Sequence, residues 1–390
     1  MVDEVVHLAQ APLAHVVASG HVPTTADFGT INLVRCRGCG HAWNTAAESV
    51  VGHHVDFLTN APVSKGMVAR HHDLVAYVTA GLPKRLRVLD VGAGSGALSL
   101  ACADAGHEVI AVEPSGALDA AVMQAAGVRV VADAWPSNSL SGETFDLVVC
   151  VQMLEHTLTP ATIAASVAAA LARDGRAYIE VPSGDWLWRH HSPIDVHAPH
   201  VQYFTDVSFA QIAHRAGVTV IDRHEVVAGR DVGYVVVKRS DTTNGRTGEF
   251  GPTGVRAASR RSDVADAPAR FANAVTLLQQ RLAQLAGRVA LYGANAGTQA
   301  LLGWVPEGPW DAVLDDTPAY WGHQVVSTAG TTPIVDPNTV DLDAYDTILI
   351  VAYVHDAAIA RRLRERGFRG EVRSLRPPTA VTDGPPSLMA

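Results

Sequence analysis

VLDVGAGSG, residues 88–96, is the stretch on which the fold turns. An apolar run that ends in Asp90 and Val91 meets glycines at 92, 94 and 96, and an Ala- and Leu-rich segment follows. Glycine admits positive φ and lets backbone N–H groups approach a ligand, so the pattern reads as strand, tight turn, helix N-terminus. Working outward, RVLDV (87–91) is a buried strand and 97–106 a helix closed by Gly106. EVIAVE (108–113), VRVVAD (128–133), FDLVVCVQ (145–152) and AYIEVP (177–182) are further strands, with helices over 117–127 and 161–173. Strands alternating with helices of this length predict right-handed βαβ units, hence a parallel, doubly wound sheet. A helix over 208–216 leads to TVIDRHEVV (219–227) and GYVVVKR (233–239), a pair suited to an antiparallel edge.

The flanks differ in character. Residues 1–80 are rich in histidine and irregular in pattern, and read as a small N-terminal module with a connecting helix. The central α/β domain spans 81–239, and the polar, Gly/Ser/Thr/Arg-rich stretch 240–268 reads as a linker. A second Rossmann-like α/β domain follows over 269–376. Its strands are RVALYG (288–293), DAVLDD (311–316) and TILIVAYV (347–354), with helices over 271–285, 298–304 and 357–366. The tail, 377–390, is expected to be frayed.

Composition excludes several classes. With 390 residues, 48 % hydrophobic and 18 % charged, the chain can bury more than one core and is not globally disordered. No apolar run reaches the ~18 residues a membrane span needs. The acidic start MVDEVVHLAQ lacks the basic region of a secretory signal. A net charge of −9 disfavours nucleic acid as the partner. The expectation is a cytoplasmic enzyme. Of four cysteines only Cys36 and Cys39 have an informative spacing.

The loop reads GxGxG with an acid two residues upstream, and Ala97 stands where a pyrophosphate-binding GxGxxG needs its third glycine. That favours a cationic ligand without phosphate. Glu113 closes the second strand, placed to accept two ribose hydroxyls. Asp133 and Ala134 end the third strand, and QMLEH (152–156) follows the fourth.

These segments resemble class I S-adenosylmethionine-dependent methyltransferases over roughly residues 85–225. The resemblance implies that Asp90, Gly92, Ala93, Gly94 and Gly96 hold the methionine part of S-adenosylmethionine. It implies that Glu113, followed by Pro114, binds ribose, that Asp133 and Ala134 face adenine, and that Gln152, Leu154 and Glu155 line the cofactor floor. The whole chain is similar to three-part C-methyltransferases of nucleotide-linked deoxysugars, which have a zinc-binding module, a methyltransferase domain and a C-terminal Rossmann-like domain. APLAH (11–15) with LVRCRGCGHAW (33–43), EVPSGDWL (180–187) with HAPHVQYFT (197–205), and LYGANAGTQALL (291–302), VLDDTPAYWGHQV (313–325) and TPIVDP (332–337) carry that likeness.

The resemblance implies a nucleotide-sugar substrate, deprotonated next to its carbonyl and methylated on carbon. His200 is the chosen base, with His197, His156 and Tyr203 as further catalytic candidates. His200 can equally pack on Tyr203 or cap the helix near Asp206. The family's glutamate is Pro199 here, which can serve neither as acid nor as base and keeps an O- or N-methyltransferase reading open, as well as a non-catalytic nucleotide-binding relic. Gly293, Asn295 and Asp315 are the candidate substrate-binding residues of the third domain. Cys36 and Cys39 are one thiolate pair where the family has two. They either complete a zinc site with histidines such as His7, His15, His41 or His53 or survive as a knuckle of turn residues. Histidines 190, 191, 197 and 200 are a second candidate metal cluster.

Overall fold

The computed structural model describes residues 1–14, 16–51, 65–239, 266–380 and 383–390. His15, His53 and positions 240–265 of the expected linker lie outside the described residues.

The N-terminal part is ordered rather than irregular. Strands β1 (Val2–Pro12), β2 (Phe28–Cys36) and β3 (Ala42–Asn44) form an antiparallel sheet. The alternation of buried and half-exposed residues along FGTINLVRC is the period-two pattern of a half-buried strand. Histidine richness hid that alternation from the sequence reading.

Helix α1 (Lys65–Thr79) follows and packs Leu74, Val75 and Val78 against the central sheet. That sheet contains β4 (Arg87–Val91), then α2 (Ala97–Asp104), β5 (Glu108–Val112), α3 (Ala120–Ala125), β6 (Arg129–Val131), β7 (Phe145–Val151), α4 (Pro160–Ala170) and β8 (Leu171–Pro182). After β8 come α5 (Gly184–His190), β9 (Gln202–Tyr203), α6 (Asp206–Arg215), β10 (Val218–Val226) and β11 (Asp231–Lys238). The strand order is β10-β11-β8-β7-β4-β5-β6, parallel except that β11 runs antiparallel to both neighbours. The expected antiparallel edge is therefore present, with β11 inserted between β8 and β10. The chain moves one way from β4 to β6 and the other way from β7 to β8. The reversal leaves a crevice at the carboxyl ends of β4 and β7, where doubly wound sheets bind ligands.

The C-terminal domain starts with α7 (Ala267–Ala283) and continues through β12 (Val289–Tyr292), α8 (Ala296–Trp304) and β13 (Trp310–Leu314). It ends with β14 (Gln324–Ser327), β15 (Gly330–Val335), β16 (Thr347–Ile350), α9 (Asp356–Glu365) and β17 (Glu371–Ser374). Its order is β14-β15-β13-β12-β16-β17, with β14 the antiparallel edge. With the antiparallel β14 left out, β15-β13-β12-β16-β17 has the same third, second, first, fourth, fifth order as β6-β5-β4-β7-β8. The kinship resides in backbone path, and the two sequences show no obvious repeat.

The three parts interlock. Leu33, Val196, Leu291 and Leu301, drawn from all of them, lie fully buried in one apolar cluster. Gln299 Nε2 donates to Pro12 O at 2.7 Å, and Trp304 Nε1 donates to Pro193 O at 2.8 Å. Strand β9 leaves the central domain to pair with β3 of the N-terminal sheet, Ala42 opposite Tyr203 and Trp43 opposite Gln202.

The tail is docked, contrary to the expected fraying. Leu388 N donates to Ser374 O, Ser374 N to Pro386 O, and Leu388 and Met389 join the shared apolar cluster. Polar and proline-rich composition concealed this, because two apolar side chains and a β-bridge suffice to anchor it. Met389→Ala is expected to destabilise the fold by roughly 2 kcal/mol, the low end for a buried methionine truncation. An unchanged thermal midpoint would mean that the tail does not pack in solution.

Candidate active site

The glycine loop is shaped by contacts on each side. Gly92, Gly94 and Gly96 all have positive φ, 71°, 55° and 77°. A Cβ on Gly92 would stand 2.6 Å from Met153 Cγ, and one on Gly96 would stand 2.2 Å from Met123 Cε. At Gly94 a Cβ would meet nothing within 4 Å, so this turn of the loop faces open space. The amides of Gly92 and Ala93 both donate to Val112 O, which ties the loop to the end of β5.

Glu113 is buried and accepts Gly94 N on one oxygen and Ser115 N on the other, both at 2.9 Å. It braces the loop while keeping lone pairs for a ligand. Asp90 differs from the expectation that it reaches a ligand. It is buried, and Ser99 Oγ donates to it at 2.6 Å, so it ties β4 to α2 from beneath the loop. Burial lifts its pKa to about 6, opposed by the Ser99 bond and helped by the nearby Glu113 charge.

A carboxyl raised in this way contributes stability that is complete below its unfolded value and lost as pH rises through about 6. Asp90→Asn keeps an acceptor for Ser99 and removes the buried charge. It should raise the thermal midpoint at pH 8 by the equivalent of up to about 3 kcal/mol and flatten its pH dependence between 4 and 7. A variant less stable than the parent at pH 8 would overturn this account.

Asp133 is exposed and accepts from Ala134 N and Ser137 Oγ. Pro114, next to the buried Glu113, is exposed. Leu154 points into the core beneath the sheet and is not available as a ligand floor. Gln152 has φ 52° and donates from Nε2 to Glu180 Oε1 at 3.2 Å. Glu180 also accepts from Tyr178 Oη at 2.6 Å and pairs with Arg70 of α1.

The histidine segment is clamped onto the turn after β7. Val201 N donates to Glu155 O, His156 Nδ1 to Pro199 O at 2.8 Å, and Gln202 Nε2 to Thr157 O. The His197 and His200 rings pack at a tilt with centroids 3.8 Å apart, and His156 meets His200 edge-on at 4.9 Å. Tyr203 is buried, its hydroxyl has no hydrogen-bond partner, and burial pushes its pKa up. These residues line a cavity of about 590 Å³ with Gln152, Asp231, Asn295, Gly297 and Tyr353. That size falls within the ~300–1,000 Å³ of small-molecule sites.

The cavity thus brings the catalytic candidates together with Asn295 at the N-terminus of α8. Gly293 and Asp315 are not among its walls. Gly293 is pressed against Ala352, and Asp315 accepts Ala294 N and Thr317 N, a structural bracing that repeats Glu113's. His190 and His191 also depart from the expected cluster. They line a separate groove with Arg189 and Arg270, and the His190 ring packs at a tilt against Trp186.

Sequence reasoning missed Asp195, Arg230, Asp231 and Tyr353. Asp195 accepts from Arg230 Nε at 2.7 Å and from Tyr353 Oη at 2.8 Å, which joins the central and C-terminal domains at the cavity wall. Asp231 opens β11, and burial lifts its pKa to about 6. Charged residues at the first turn of an otherwise apolar strand were the available signal.

Among the described residues the Cys36–Cys39 pair lacks the further ligands of a zinc site, the candidates His15 and His53 lying outside them. Among the described residues no third Cys, His or carboxylate lies within ligand reach of it, and His41 is engaged with Gln202 at 3.0 Å. The amides of Cys39 and Gly38 draw the Cys36 thiol's pKa down, while burial raises that of Cys39. The knuckle instead supports β9, because Thr205 Oγ1 donates to Cys39 O at 2.6 Å.

Comparison with known proteins agrees with this architecture. Residues 65–223 match the family model described as a methyltransferase domain. Ubiquinone biosynthesis O-methyltransferases are similar to part of the chain. That of Bordetella parapertussis is 39 % identical over 104 residues, 25 % of this chain and 43 % of the relative. That of Burkholderia thailandensis is 35 % identical over 103 residues, covering 25 % and 44 %. The chain therefore spans less than half the length of these curated relatives. A solved structure of Burkholderia thailandensis 1,6-didemethyltoxoflavin-N1-methyltransferase with bound S-adenosylhomocysteine is 27 % identical, with a TM-score of 0.36, over 44 % of this chain and 79 % of that one. Residues 65–223, which hold most of the doubly wound central sheet, are thus similar to a methyltransferase domain. Among the described residues no helix is long and apolar enough to cross a membrane.

Proposed function

We propose that the chain is an S-adenosylmethionine-dependent methyltransferase acting on a small molecule. The favoured acceptor is a nucleotide-linked keto-deoxysugar, methylated at the carbon next to its carbonyl. The observation that carries this reading is the cavity itself, walled by the histidine segment on one side and the N-terminus of α8 on the other.

The residues at the crevice fit S-adenosylmethionine, because the loop is open at Gly94 alone and a buried carboxylate stands beneath it. Gly92, Ala93, Gly94, Gly96, Glu113, Asp133, Ala134 and Gln152 would hold it. When bound, it supplies an electrophilic methyl group. The chain's own work is to orient the acceptor, exclude water and remove one proton. His200, His156 and Asp231 face the cavity as proton acceptors, and the unpartnered Tyr203 hydroxyl can donate to an acceptor carbonyl. The amides at the start of α8, beside Asn295, suit a diphosphate.

Pro199, standing where a glutamate is expected, and the relatives named as O-methyltransferases favour a second reading with an oxygen acceptor. Calorimetry with S-adenosylhomocysteine, followed by labelled-methyl assays on keto-sugar nucleotides and phenolic acceptors, tests both. Transfer to a keto-sugar nucleotide supports the first reading. Transfer confined to phenols moves the assignment to the second, and failure to bind S-adenosylhomocysteine removes both.

A further inference from the structure

We propose that Glu155, His156 and His200 form a binding site for one first-row divalent cation at the wall of the acceptor cavity. The argument begins with Glu155, which is completely buried, with neither carboxylate oxygen hydrogen-bonded. A bare buried carboxylate is among the least favourable groups a fold can contain, and protonation would still leave an oxygen without a donor. His156 stands beside it, with Nε2 at 3.9 Å from Oε1. That is too long for a hydrogen bond and within the ~4.4 Å that two bonds of ~2.2 Å to one ion can span at most.

The tautomer of His156 points the same way. Its Nδ1 donates to Pro199 O, which leaves Nε2 as the ring atom on the side of Glu155. With Nε2 unprotonated, a cation between it and the carboxylate satisfies both. A ligating histidine that donates its other N–H to a backbone carbonyl is a regular feature of metal sites. His200 completes the group. The ligand atoms of the three residues lie within 4.8 Å of one another, and the His197 ring packs against that of His200 at 3.8 Å.

Two imidazoles and one carboxylate suit Zn²⁺, Mn²⁺, Fe²⁺ or Co²⁺ and leave positions open to the cavity, which His156 and His200 both line. An acceptor's carbonyl or hydroxyl oxygen can take such a position and be polarised there. This role rests on the methyltransferase reading, whereas the site itself does not. It also gives the cavity an electrophile at the place where Pro199 has removed a carboxylate.

The test titrates the purified full chain, made without a histidine tag and stripped with chelator, with Co²⁺ alone. A single equivalent should bind and give visible d–d absorption without a sulfur-to-metal band. Glu155→Gln, His156→Ala and His200→Ala should each weaken binding by at least about tenfold, while the Cys36→Ser/Cys39→Ser double variant binds as the parent does. S-adenosylhomocysteine affinity, measured on the same preparations, reports folding and judges the methyltransferase reading separately. The proposal is overturned if the parent takes up no stoichiometric Co²⁺, if all three variants bind normally, or if the spectrum depends on the cysteines.

Discussion

Asp231→Asn is expected to lower kcat by about 100-fold or more while leaving S-adenosylhomocysteine affinity within about threefold of the parent. The residue stands at the first position of β11, on the cavity wall, beside Arg230 and across from Tyr353. Burial lifts its pKa to about 6, with the Arg230 guanidinium pulling the other way and the charge of Glu180 adding to the rise. A carboxylate poised there is mostly ionised at neutral pH, yet more basic than an exposed one, which suits a general base. The base must be free to accept a proton, so kcat should climb as pH rises through about 6 and then level off. The asparagine variant should lose that limb. The size follows from the usual 10²- to 10⁴-fold contribution of a positioned base. A parent rate that is flat from pH 5 to 8, or a variant that keeps the limb, would assign proton removal elsewhere.

Much of the central domain was legible because its signals are local. Glycines at 92, 94 and 96 each answer a positive φ, and the apolar runs of β4, β5 and β7 are strands buried on both faces. The glycine loop and the acid closing the second strand could be placed for the same reason. The parts that escaped depend on contacts distant in sequence. Nothing in QY at 202–203 announces that it pairs with Ala42 and Trp43, and nothing in the tail shows that Leu388 reaches Ser374. Asp90 and Leu154 were legible as positions but not as directions. A strand's pleat and a turn's entry angle decide whether a side chain meets the crevice or the core, and here both turn inward. The cavity wall was the least legible feature, since Asp195, Arg230 and Tyr353 converge from three separate segments.

The repeated bracing in the two α/β domains yields a matched pair of experiments. Glu113 accepts the amides of Gly94 and Ser115, and Asp315 accepts those of Ala294 and Thr317, at 2.7–2.9 Å in all four bonds. Each acid also donates its own amide to the end of the next strand in its sheet, Glu113 to Val131 O and Asp315 to Val335 O. Truncation to alanine strips two amides of a charged acceptor in either case. Hydrogen bonds to charged groups contribute ~1.5–3 kcal/mol each, so both variants should lose on the order of 3–6 kcal/mol of stability. The thermal losses should therefore be similar.

The ligand effects should not be. Glu113→Ala also removes the carboxylate beneath the open Gly94 turn, and S-adenosylhomocysteine affinity should fall by at least tenfold beyond what unfolding explains. Asp315→Ala leaves the crevice intact, and its affinity should stay within about threefold of the parent. Calorimetry well below each variant's midpoint separates the two quantities. Equal loss of affinity in both variants would mean that the glycine turn after β4 is not where the adenosyl ligand sits. Loss in Asp315→Ala alone would transfer that ligand to the C-terminal sheet, and with it the direction in which the cavity between the domains is used.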